Sequence, residues 1–126
     1  GKGIFRWPDG SVYEGEWKGD KRNGKGVFRC ADGTIYEGEY KDGKKYGIGV
    51  FRWLDGRVYE GDFTDDRMNG YGIFRWPDGG MYEGDYKDGK KNGRGVFRNI
   101  DGRLYEVVRH GHVAGPMGET WGRVWR

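Results

Sequence analysis

Glu14 and Glu16 stand two residues apart in the stretch VYEGEWK, the kind of carboxylate pair that a glycosidase uses for acid/base work. The same pattern returns as Glu37/Glu39, Glu60/Asp62 and Glu83/Asp85 in successive copies of a repeat. An active site is not copied in that way, so strand-surface ion pairing is the better reading. His110 and His112 flank one residue and would share one side of a strand, a start toward a metal site. No nearby cysteine or third ligand completes the four-ligand set. Cys30 has no catalytic partner in reach of the sequence pattern and reads as a small buried filler. No G-x-x-x-x-G-K-[ST] phosphate loop occurs. The expectation is a chain with no catalytic residue, no cofactor and no metal.

Composition bounds the elements that hold these residues. The chain carries 27 Gly, 34% charged and 17% aromatic residues, and only 34% apolar residues, whereas ordinary domains have about 45–50% apolar residues. A large single core is therefore excluded. Disorder is excluded as well, because disordered chains lack such aromatic content. Small units that bury rings against their neighbours remain. Lys+Arg (23) and Asp+Glu (20) leave a formal charge of +3, without the concentrated basic excess of a nucleic-acid binder. A single cysteine rules out an internal disulfide framework and suits a reducing compartment. No apolar stretch is long enough to span a bilayer or act as a leader. The sequence reads as soluble and cytoplasmic.

The unit is 23 residues long. Tyr13, Tyr36, Tyr59, Tyr82 and Tyr105 recur at that step, each followed by Glu. Phe5, Phe28, Phe51, Phe74 and Phe97 keep the same step, each followed by Arg, and Asp9-Gly10 returns as Asp32-Gly33, Asp55-Gly56, Asp78-Gly79 and Asp101-Gly102. Gly1-Lys2-Gly3 matches Gly24-Lys25-Gly26, which suggests a segment of a longer array.

Within a unit, Tyr13, Gly15 and Trp17 alternate with Val12, Glu14, Glu16 and Lys18, and Gly26 and Phe28 alternate with Lys25, Val27 and Arg29. Period two predicts two β-strands per unit, with rings and glycines on one face and charged or β-branched residues on the other. WPDGS predicts a three-residue hairpin loop in which Pro8 presets φ and Gly10 takes the left-handed position. That loop sets Phe5 opposite Tyr13 and Phe28 opposite Tyr36. The stretch GDKRNG reads as a longer loop, which sets Trp17 opposite Gly26, Gly15 opposite Phe28 and Glu14 opposite Arg29 as an ion pair. Each glycine then lies beneath a ring. The fold class that follows is all-β: an elongated single-layer antiparallel β-meander of stacked hairpins, roughly ten strands and about 50 Å long.

YEGEWKGDKRNGKGVFRCADG and its copies resemble the MORN (membrane occupation and recognition nexus) repeat. The resemblance divides the chain into an array over 1–106 and a degenerate C-terminal repeat or cap over 107–126. It implies a ribbon-like scaffold or docking module without catalytic residues, working at cytoskeletal or membrane-associated assemblies. YEVVR (105–109) replaces YEGEW in the fifth copy, and Cys30 and Asn99 stand where Trp7, Trp53 and Trp76 set the pattern.

Three surfaces are candidates for contact. The aromatic face, with Tyr13, Trp17, Phe28, Tyr36, Tyr40, Phe51, Tyr59, Phe63, Phe74, Tyr82 and Tyr86, would form a groove for a helix or peptide of a protein partner, or else stack internally. The loop edge, with Lys18, Lys21, Arg22, Lys41, Lys44, Lys45, Lys87, Lys90 and Lys91, would meet an anionic membrane such as one bearing phosphoinositides, or else keep the sheet soluble. The C-terminal segment, with Val107, Val108, Trp121, Val124 and Trp125, would carry a homodimer contact. Carbohydrate or choline recognition is a third class, since short Gly/aromatic hairpins also occur in cell-wall binders.

Overall fold

The computed structural model describes residues 1–109 and 120–125, with side chains through residue 106. The alternation of rings with charges yields strands throughout: β1 (Lys2–Arg6), β2 (Val12–Lys18), β3 (Lys21–Arg29), β4 (Ile35–Lys41), β5 (Lys44–Arg52), β6 (Val58–Thr64), β7 (Arg67–Arg75), β8 (Met81–Lys87), β9 (Lys90–Arg98), β10 (Leu104–Arg109) and β11 (Thr120–Trp125). They form one sheet in sequence order from β1 to β11, antiparallel at every step. The expected boundary at 106/107 falls inside β10, and β11 adds a strand to the ten of the repeats.

The WPDG turn follows the sequence pattern. The Gly10 amide donates to the Trp7 carbonyl at 3.0 Å, and the Trp7 amide donates to the Ser11 carbonyl at 2.9 Å. Gly10 has φ +99°, a conformation open to glycine at little cost. Asp9 Oδ1 accepts the Ser11 amide at 2.8 Å, and Asp32, Asp55, Asp78 and Asp101 repeat that contact at 2.9–3.0 Å. Those amide donors hold the Asp32 and Asp55 carboxyls below their ordinary range.

The other hairpin corrects the expected register. Trp17 pairs with Arg22, Gly15 with Gly26, Tyr13 with Phe28, Glu14 with Val27 and Val12 with Arg29. GDKRNG is therefore a two-residue turn at Gly19-Asp20 followed by a bulge. Between Gly15 and Trp17 the pairing shifts, because Glu16 of β2 faces three residues of β3, Asn23, Gly24 and Lys25. Gly24 bends the bulge at φ +94°, and Glu16 Oε2 accepts the Lys25 amide at 2.7 Å. In the third unit Asp62 Oδ2 accepts the Tyr71 amide at 3.0 Å. Asp42-Gly43, Asp65-Asp66 and Asp88-Gly89 have positive φ at both positions, the geometry of a type I′ turn that matches strand twist.

Register arranges the residues in rows across the sheet. One row runs Phe5, Tyr13, Phe28, Tyr36, Phe51, Tyr59, Phe74, Tyr82, Phe97, Tyr105, with Phe5 opposite Tyr13 and Phe28 opposite Tyr36 as expected. The adjoining row is glycine: Gly15, Gly26, Gly38, Gly49, Gly61, Gly72, Gly84, Gly95. The ring over Gly26 is that of Tyr13, not Trp17. A Cβ there would stand 2.5 Å from the Tyr13 Cε1 and Cζ.

With no Cβ beneath them, the tyrosines lie down on the sheet and meet rings from the next unit. Trp17, Tyr13, Tyr40, Tyr36, Phe63, Tyr59, Tyr86 and Tyr82 form a continuous zigzag of edge-to-face contacts, with centroids 5.1–5.7 Å apart and interplanar angles of 81–88°. Each such pair adds about 0.5–1.5 kcal/mol beyond its buried area. The hydroxyls of Tyr13, Tyr36 and Tyr59 donate to the carbonyls of Glu16, Glu39 and Asp62 at 2.9–3.0 Å. Burial raises the pKa of Tyr13, Tyr36, Tyr40, Tyr59 and Tyr86, so these rings stay neutral.

Candidate functional site

The aromatic face is mostly core rather than groove. Tyr13, Tyr36, Tyr40, Tyr59, Phe63, Tyr82 and Tyr86 are buried within the chain itself, and only Trp17, Phe28, Phe51 and Phe74 of the expected groove remain half-buried against them. The physical reason is the zigzag: each tyrosine packs edge-to-face on rings of its own and a neighbouring unit, which covers the tyrosines and leaves the Phe and Trp rings half-buried.

The basic edge also divides in two. Lys18, Lys21, Lys41, Lys44, Lys87 and Lys90 are exposed at the turns. Arg22, Lys45 and Lys91 instead fold over the aromatic floor. The Arg22 guanidinium carbon stands 4.9 Å from the Tyr40 centroid, the Lys45 ammonium 5.4 Å from Tyr36 and the Lys91 ammonium 4.9 Å from Tyr82. Their position opposite the Trp17 row turns them inward. In the third unit Met68 occupies the same place.

The opposite face is where exposed charge is organised. One row alternates Glu14, Val27, Glu37, Val50, Glu60, Ile73, Glu83, Val96, Glu106. Two residues along the strands, toward the WPDG turns, Arg6, Arg29, Arg52, Arg75 and Arg98 alternate with Val12, Ile35, Val58, Met81 and Leu104. On the other side lie Glu16, Glu39, Asp62 and Asp85, and beyond them the lysine turns. An acidic band thus runs along the sheet beside the arginine row, and the lysine turns on its other side are interrupted in the third unit by Thr64-Asp65-Asp66-Arg67.

Glu14 and Arg29 are diagonal in this register, not opposite. Their counterparts Glu60 and Arg75 approach to 3.9 Å, both half exposed, a contact worth about 0.2–1 kcal/mol.

The band has a hollow of about 620 Å³ lined by Glu14, Glu16, Lys25, Val27, Glu37 and Ile48, among others. Residues 2, 25, 48, 71 and 94 hold one repeat position, filled by Lys, Lys, Ile, Tyr and Arg. Lys2 and Lys25 stand opposite Glu16 and Glu39, whereas Ile48 and Tyr71 stand opposite Asp62 and Asp85. The middle of the band is therefore acidic and apolar at once, with Ile48 59% and Tyr71 48% exposed. The Tyr71 hydroxyl donates to Glu83, and this bond raises its pKa to about 12. The sequence reading did not single out this band, although its signal was the strict return of Tyr-Glu and Phe-Arg.

Among the described residues, no group of three or more His, Cys, Asp or Glu is placed to hold a metal ion. His110 and His112 lie outside the described residues. Cys30 is half-buried. The proposed dimer residues fall in β10 and β11, where Val107 pairs with Trp121, Tyr105 with Val124 and Leu104 with Trp125 within the chain; their side chains, except those of Leu104 and Tyr105, lie outside the described residues.

The MORN repeat family model matches residues 1–12, 13–35, 36–56, 59–81 and 82–102. A comparison with curated proteins finds no match. MORN repeats are generally associated with scaffolds for membrane and protein interaction and are generally non-catalytic modules. Five consecutive matches, of which the last four each fall on one of the hairpins β2–β3, β4–β5, β6–β7 and β8–β9, make this chain a member of the MORN repeat family.

Proposed function

We propose that this chain is a non-catalytic docking scaffold that holds a segment of a partner protein along its acidic band, at a cytoskeletal or membrane-associated assembly. The observation that carries the reading is the division of labour between faces. The tyrosines of the aromatic face are consumed by the core, while Glu14, Glu37 and Glu60 are presented in exposed form by successive units and Glu83 lies half-buried beside Tyr71. Charge repeated at a fixed spacing on a rigid sheet is a recognition surface, and its hollow supplies apolar contact at Val27 and Ile48. The test is selection of displayed peptides on the full chain, followed by rebinding to a variant with Glu14, Glu37, Glu60 and Glu83 changed to Gln. Peptides that bind the parent and lose at least tenfold on the variant are expected. Selected peptides that bind both equally would refute the outer face as the docking surface.

A second reading rests on the six exposed turn lysines, Lys18, Lys21, Lys41, Lys44, Lys87 and Lys90. Each basic residue near an anionic surface adds about 1 kcal/mol, so this edge would bind phosphoinositide- or phosphatidylserine-bearing vesicles. Flotation with such vesicles at low and high salt tests it, since screening abolishes attraction of this kind. Flotation that salt does not change would rule out the lysine edge.

A further inference from the structure

We propose that the ribbon has a joint between β3 and β4, where it parts into two bodies, β1–β3 and β4–β9, and that Arg22 is the latch that holds this joint closed. Such a joint needs no partner on the outer face.

Within a hairpin the tie is tyrosine on glycine. Tyr13, Tyr36, Tyr59 and Tyr82 of β2, β4, β6 and β8 lie over Gly26, Gly49, Gly72 and Gly95 of β3, β5, β7 and β9, so each hairpin is one body. Between hairpins the side-chain ties are rings on both sides of the glycine row. Toward the lysine turns, Tyr13 meets Tyr40, Tyr36 meets Phe63 and Tyr59 meets Tyr86, with centroids 5.1–5.3 Å apart. Toward the WPDG turns an indole bridges phenylalanines of successive units: Trp7 from Phe5 to Phe28, Trp53 from Phe51 to Phe74 and Trp76 from Phe74 to Phe97, with centroids 4.6–5.6 Å apart. From Phe28 to Phe51 the bridge is broken, because Cys30 holds the tryptophan position and has no ring. That junction forgoes two ring contacts, together worth about 5- to 150-fold in its opening equilibrium.

The same junction is the one that an arginine straddles. The Arg22 guanidinium carbon stands 5.8 Å from the Tyr13 centroid and 5.2 Å from Phe28 on the β3 side, and 4.9 Å from Tyr40 on the β4 side. Its Nη2 donates to the Gly43 carbonyl, in the turn after β4, at 2.8 Å. Lys45, at the same place in the next unit, has both of its rings, Tyr36 and Phe51, in its own hairpin, and Met68 follows in the third. Cation–π contact and a charged hydrogen bond thus stand where the other junctions have indole stacking. The joint divides the outer face too, with Glu14 on one side and Glu37, Glu60 and Glu83 on the other.

Amide hydrogen exchange of the full chain, resolved by strand in urea below the unfolding midpoint, tests this. In the parent, β1–β3 should exchange together and faster than β5–β7. Cys30→Trp copies Trp7, Trp53 and Trp76 and should slow β1–β3 by about 5- to 150-fold with β5–β7 unchanged, whereas Cys30→Ala should slow nothing. Trp53→Cys should open a second joint, so that β4 and β5 exchange faster than β6 and β7. Arg22→Met copies Met68 and should speed β1–β3 by about fivefold or more, again with β5–β7 unchanged. An even gradient of exchange from β1 to β7 that Cys30→Trp leaves unaltered, as fraying from one end would give, overturns the joint. A Cys30→Trp chain that loses its circular dichroism overturns it as well, since the seat for an indole would not exist. Unchanged exchange in Arg22→Met overturns the latch.

Discussion

Changing Gly49 to Ala tests whether the glycine row exists to seat the tyrosines. The added Cβ would stand 2.6 Å from the Tyr36 Cε1 and 2.7 Å from Cζ. Ordinary contact begins near 3.4 Å, so the ring must retreat by about 0.8 Å. Tyr36 is 1% exposed and wedged edge-to-face between Tyr40 and Phe63, which leaves it nowhere to go. Its hydroxyl bond to the Glu39 carbonyl, 2.9 Å long, would stretch beyond useful length, a loss of about 0.5–1.5 kcal/mol. Overpacking of a filled site costs about 1–3 kcal/mol. Against this, replacing a strand glycine gains about 0.5–1 kcal/mol from the unfolded chain. The net expectation is destabilisation by about 1–3 kcal/mol, a fall of several degrees in Tm for a chain of this size.

Gly3→Ala is the control. Its Cβ would meet only the Trp17 ring edge at 3.4 Å, so the chain entropy gain should dominate and Tm should hold or rise. Thermal melts followed by circular dichroism compare the two. Adding Tyr36→Phe to Gly49→Ala removes the hydroxyl nearest the new methyl and should recover part of the loss, so the two changes should not add. A Gly49→Ala variant as stable as Gly3→Ala would refute the close-packing account.

Three further outcomes follow from the same contacts. Tyr36, Tyr40 and Tyr59 have folded pKa values raised above the unfolded value near 10; their contribution is complete below pH 10 and is lost as pH rises further, so tyrosinate absorbance should appear together with loss of circular dichroism rather than before it. Lys45→Met copies the residue that the third unit carries as Met68, so it should change Tm by no more than a few degrees and leave vesicle flotation unaltered, whereas Lys41→Gln/Lys44→Gln should weaken any flotation. Deleting residues 36–58 removes one whole unit and joins Ile35 to Tyr59 as it was joined to Tyr36; the product should keep its circular dichroism per residue and lose about 1.4- to 5-fold in affinity for a selected peptide, one exposed ion pair's worth. Unchanged affinity would mean that the units do not act in series.

Much of the fold was legible because the repeat supplied its own controls. The return of Tyr13 at every 23rd residue fixed the unit, alternation fixed the faces, and WPDG named its own turn. The bulge hid because Asn23, Gly24 and Lys25 look the same in a loop as in a strand that has slipped. Asp42-Gly43 and Asp88-Gly89 held the correcting signal, since Asp-Gly is the preferred pair of a two-residue type I′ hairpin, and reading it so would have shortened the loop. Once the register is right, Arg22 falls opposite Trp17 and must point at the rings. The outer face proposed for docking was the least legible part. Large aromatic residues invite a reading as binding groups, and nothing local shows that Tyr40 packs on Tyr13 from the unit before.

The two faces depend on each other. A glutamate row is useful to a partner only if its spacing is fixed, and spacing here is set by rings that interlock from one hairpin to the next. The rings can interlock only because the glycines let them lie flat on the sheet. An exposed ion pair is worth about 0.2–1 kcal/mol, too little for one hairpin to retain anything, and a two-stranded hairpin is marginal by itself. Repetition addresses both weaknesses through the same residues: each added unit buries another tyrosine between neighbours and presents another glutamate in line with the last. Once the first contact forms, the next glutamate is already placed, so later contacts form at a high effective concentration. A change such as Gly49→Ala, on the aromatic face, should therefore weaken any binding at the proposed docking face by disturbing the distance between Glu37 and Glu60.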